Sequence, residues 1–67
     1  MAVPLLSEQY VRSELERRHC TKLFELGTAG MWMTRAGFHF TVPQEGPYKQ
    51  CSSYIFGDIL KEIEPYL

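Results

Sequence analysis

No stretch of this chain comes near the roughly 20 consecutive apolar residues that a membrane-spanning helix requires. The opening MAVPLL has neither the charged lead nor the long apolar core of a secretory signal, so a cytoplasmic location is expected. Cysteine is scarce: Cys20 and Cys51 are the only two. In a reducing compartment a pair of thiols makes no disulfide framework, and both are expected to stay free. An excess of either charge is also missing, since seven Lys and Arg face eight Asp and Glu for a net charge of −1. That excludes the basic surplus of a protein held mainly by phosphates, and equally the strong acidity of a nucleic-acid mimic. A protein partner is the default that remains. Neither internal repeats nor low-complexity segments occur, and the glycines of GTAG and GPYKQCSS follow no phosphate-loop pattern, so both stretches read as turns.

What is present is enough for one small globular domain over residues 1–67. The chain is 45% hydrophobic and 13% aromatic, the composition of a folded chain rather than a disordered tail. Its length is near the lower limit for a core that stands without staples.

The patterning predicts helix, strand, strand, strand, helix. Ser7 is a good N-cap, with Glu8 in the first turn and a Leu6–Val11 staple, and Val11 and Leu15 mark the buried side of a helix to about His19. After Thr21 the period becomes two. KLFELG reads as a strand with Phe24 and Leu26 on one face and Leu23 and Glu25 on the other. Gly27 and Gly30 are expected to bracket a turn. MWMTR and FHFTV then form a hairpin joined at Ala36-Gly37, and Pro43 ends it. After a loop over 43–51, Ser52 or Ser53 caps a second helix carrying Ile55, Phe56, Ile59, Leu60 and Ile63 at helical spacing, stopped by Pro65. The expected class is α+β, a three-stranded antiparallel sheet with two helices on one face. Its core would hold Phe38, Phe40, Val42, Ile55, Ile59, Leu60 and Ile63.

Met31, Trp32 and Met33 pose the central question, because neighbouring strand residues point to opposite faces. Either Trp32 or the Met31/Met33 pair must face away from the helices. An outward Trp would mark a contact surface, and the pattern FHF is expected to place His39 on the same side as Trp32. On that reading Trp32, Arg35, His39, Tyr48 and Lys49 form a protein-binding surface. The alternative is a Trp32 folded over the sheet edge.

The order of elements, with Gly30 opening the second strand, Thr41-Val42-Pro43 ending the third and Phe56-Gly57-Asp58-Ile59-Leu60 in the last helix, resembles the HicA-type toxins. Those are small double-stranded-RNA-binding-like domains that cleave messenger RNA. The resemblance implies the same fold over about residues 7–64. The family's catalytic histidine follows the glycine that opens the second strand. Here that place reads Met31-Trp32, so the nuclease activity is not implied.

His39 is the remaining candidate general base, beside Arg35 and Lys49, but no second acid or base stands at a defined spacing from it. No catalytic residue is therefore assigned. His19, Cys20, His39 and Cys51 fit no metal-ligand spacing, so neither a metal nor another cofactor is expected. Arg12, Arg17, Arg18 and Lys22 form a basic strip that could meet nucleic acid, although Glu8, Glu14 and Glu16 interleave with it. The leading expectation is a non-enzymatic protein-binding module, a small phage or mobile-element inhibitor that sterically blocks a larger bacterial protein in the manner of anti-CRISPR proteins. Two rivals stand beside it. One is a HicA-like RNA-binding or RNA-cleaving toxin with His39 in the catalytic role; the other is a homodimeric structural subunit joined along Met31 and Met33.

Overall fold

The computed structural model describes residues 3–67. Leu5–Leu6 (β1) leads into helix α1, Glu8–Arg17. Strands β2 (Thr21–Leu26), β3 (Ala29–Met33) and β4 (His39–Pro43) follow, then β5 (Cys51–Ser52), helix α2 (Ser53–Ile63) and a 3-10 turn over Glu64–Tyr66. The fold is α+β: β2-β3-β4 make one three-stranded antiparallel sheet, and β1 pairs with β5 in a separate two-stranded ladder.

Local chemistry accounts for the helix ends. The Ser7 hydroxyl accepts the Tyr10 amide at 3.1 Å, and the Ser52 hydroxyl accepts the Tyr54 amide at 3.2 Å, so each relieves an orphaned donor of a first turn. Helix α1 stops at Arg17, short of His19. The Cys20 amide bonds back to the Leu15 carbonyl and the His19 amide to that of Glu16, each at 3.0 Å, while His19 takes φ 64. This is a Schellman closure with histidine where glycine is usual, which is why composition does not announce it. Pro65 does not end the chain's winding at once, and instead sits inside the 3-10 turn.

The β3–β4 hairpin turns over a wider loop than Ala36-Gly37. Thr34 and Phe38 close it: the Thr34 amide donates to the Phe38 carbonyl at 2.9 Å, and the Phe38 amide donates to the Thr34 hydroxyl at 3.1 Å. Gly37 there has φ 95, a value L side chains rarely take. Gly30 belongs to no turn. It is buried inside β3, where a Cβ would lie 3.2 Å from Gln44 Nε2 and 3.3 Å from the Trp32 indole nitrogen.

The core joins both helices to one sheet face. Val11 and Leu15 of α1 and Phe56, Ile59 and Ile63 of α2 pack with Trp32, Phe40 and Val42. Phe38 and Leu60 pack against this cluster only in part, and Ile55 is 40% exposed. Cys20 and Cys51 are free thiols, both buried in the same cluster. Burial pushes both thiols above their ordinary range, with Glu45 adding to the effect at Cys51 and Arg18 opposing it at Cys20. Both are therefore expected to resist iodoacetamide at neutral pH and to react only on unfolding, which mass spectrometry of the alkylated protein would show. Rapid labelling of the folded chain would mean that either thiol is open to solvent.

Candidate functional site

The register decides which side of the sheet each strand residue serves. Trp32 stands opposite Phe40 on one side and Lys22 on the other, and Gly30 stands between Glu25 and Val42. These positions share the helix-covered face. The alternate set is Phe24, Met31 and Thr41 across the three strands, then Met33 opposite His39, and Leu26, Ala29 and Pro43 at the far end. None of the set is Asp, Glu, Lys or Arg. A register shift between Lys22 and Phe24 inserts Leu23 as an extra residue, so β2 does not alternate through it as the sequence pattern suggested.

Two expectations are thereby corrected. Trp32 is only 3% exposed and is a core residue, so it cannot anchor an outward surface. Helix packing selected this face because Trp32 shares it with Phe40 and Val42, which both helices cover. His39, in turn, lies on the side of Met33 and opposite to that of Trp32, because Phe40 is the residue paired with Trp32. The five residues expected to form one protein-binding surface do not assemble. Arg35 lies in the β3–β4 turn and His39 at the same end of the open face. Tyr48, 77% exposed, and Lys49 lie in the loop after β4.

What stands on the open face instead is an apolar set. Phe24 is 51% exposed and Leu26 71%, and half-buried Met31 and Met33 lie next to them on β3. Phe24 within β2 and Leu26 at its end, beside Met31 and Met33, form a patch rather than isolated surface residues. The alternation of KLFELG assigned Phe24 and Leu26 to one face, but only the paired register shows that the helices leave that face bare.

The basic strip is engaged by carboxylates. Arg17 and Arg18 both bond Glu14 Oε1, at 2.8 and 3.1 Å. Lys22 reaches Glu25 Oε1 at 2.6 Å, and Lys49 reaches Glu25 Oε2 at 3.0 Å. Of the four strip residues, Arg12 alone has no ion pair among the described residues. The Lys22 and Lys49 hydrogen bonds hold the Glu25 carboxyl down at about 2, from an ordinary 4.5. A depressed folded-state value favours folding above the unfolded value, and that contribution is lost as pH falls through the folded one. Stability is expected to drop between pH 4.5 and about 2, with part of the drop missing in Glu25→Gln. Thermal melts across that range measure it, and identical profiles for parent and variant would refute the assignment.

Among the described residues no group of three or more His, Cys, Asp and Glu side chains could hold a metal ion, and no helix is long and apolar enough to cross a membrane. Comparison with protein-family models, with curated proteins and with solved structures finds no match.

Proposed function

We propose that this chain is a non-enzymatic protein-binding module that docks through its open sheet face onto an apolar surface of a larger protein and blocks it sterically. The supporting observation is the exposure of Phe24 and Leu26 beside Met31 and Met33 on a face free of Asp, Glu, Lys and Arg. A sheet held from behind by two helices presents these side chains with little freedom left to lose on binding. Burying a fully exposed side chain of this size contributes roughly 1.5–3 kcal/mol, and these four, already part-buried, contribute correspondingly less before the costs of association. The nucleic-acid rival has less to draw on, because Arg17 and Arg18 share Glu14 and the chain as a whole carries a net charge of −1.

The test is capture of a saturable protein partner from bacterial lysate by the parent and by Phe24→Glu, Met31→Glu. A charge buried against an apolar partner is costly, so the double variant should lose capture while its circular dichroism and Tm stay close to those of the parent. Undiminished capture by a folded double variant would move the contact off this face. Cleavage of total RNA that disappears in His39→Ala would replace the binding reading with the toxin.

A further inference from the structure

On the helix-covered side, at the N-terminal end of α1, the surface dips into a shallow notch. Trp32, Val42 and Cys51 form its apolar floor, and Arg12, Lys22 and Lys49 stand on its rim with the Gln44 amide. Three cations thus converge on one small concavity. The Glu25 carboxylate stands beside two of them, with Lys22 Nζ 2.6 Å from one oxygen and Lys49 Nζ 3.0 Å from the other. Lys49 reaches it from a φ of 53, a conformation that residues other than glycine, asparagine and aspartate seldom adopt. The loop that carries it is closed by the Glu45–Gln50 pair, with backbone bonds of 2.7 and 2.8 Å. Arg12 faces the notch without an ion pair among the described residues. Glu8 also lines the notch and Glu45 acts on its floor residue Cys51, so with Glu25 three carboxylates stand against the three cations.

We propose that this notch is a carboxylate-binding site for an acidic side chain or C-terminal carboxylate of a partner protein, with Glu25 as the internal competitor for two of its three cations. Glu25 already shows that the two ammonium groups span the oxygens of a carboxylate. Arg12 adds a planar fork suited to the same group. The concavity is too shallow to enclose a metabolite, so the ligand enters by its head group and its body stays outside, as a peptide would. An incoming carboxylate competes with Glu25 for Lys22 and Lys49 and gains Arg12. The notch is on the side of the sheet away from Phe24 and Met31, so the inference stands or falls independently of the open face.

Trp32 is the only tryptophan and lines the notch, which makes its emission a direct reporter. The experiment titrates parent, Glu25→Gln and Arg12→Gln with sodium acetate, and in parallel with sodium phosphate, against sodium chloride at equal ionic strength. Acetate should give a saturable change that chloride does not. Removing the internal competitor should tighten acetate binding in Glu25→Gln by about fivefold or more, and Arg12→Gln should weaken it by a similar factor. Circular dichroism confirms that each variant is folded, and Lys49→Gln gives a second rim variant that should also weaken binding. No saturable response in parent or Glu25→Gln, or responses indifferent to Arg12→Gln and Lys49→Gln, would overturn the site. Phosphate binding far tighter than acetate would overturn the assignment to carboxylate.

Discussion

Trp32→Ala is expected to remove a large share of the stability of this fold. Trp32 is 3% exposed, lies between Lys22 and Phe40 in register, and packs in the cluster that joins both helices to the sheet. Truncating a buried tryptophan removes its transfer free energy and leaves a cavity that the surroundings fill only in part, at a cost of about 3–5 kcal/mol. A chain of 67 residues has a total stability of roughly 3–10 kcal/mol, so the loss takes a large share of it. Trp32→Phe keeps much of the ring and should lose far less. Urea unfolding followed by circular dichroism measures both. A Trp32→Ala loss below about 1 kcal/mol would mean that the indole does not support the core.

Ile63→Ala should be nearly as damaging, at about 2–5 kcal/mol, because Ile63 is wholly buried. Its contrast is Ile55→Ala on the same helix. The apolar stripe of α2 includes both residues, but Ile55 is 40% exposed and its truncation should cost less than about 1 kcal/mol. Comparable losses at the two positions would show that the helix is rolled differently about its axis from the arrangement described. The pair therefore tests the packing of α2, beyond its existence.

That contrast shows how far the sequence could be read. The capping serines, the period of α2, the alternation of Phe40 and Val42 and the turn at Gly37 are local features. Each depends on neighbours a few residues away, and each appears where the chain predicts it. The β1–β5 ladder spans two residues per strand, too short to show a period. Histidine at a left-handed helix end and the extra residue Leu23 in β2 carry no compositional mark either. The candidate site was not legible as a site, because the sequence centred the binding surface on Trp32, which is buried, and left the facing of Met31 and Met33 open. Phe24 and Leu26 were grouped correctly, whereas Lys49 meets Glu25 across 24 positions of chain.

By itself the sequence determined the class, the order of the main elements and the near-neutral charge that disfavours a phosphate-bound protein. It also required that Trp32 and the Met31/Met33 pair face opposite ways, because successive strand residues do. Which of them is buried was left to the tertiary structure. Both helices pack on the face that Trp32 shares with Phe40 and Val42, and a sheet with helices on one side has one face to bury. Met31 and Met33 were thereby turned to the open side with Phe24 and Leu26, and the uncovered apolar surface of this protein follows from that choice.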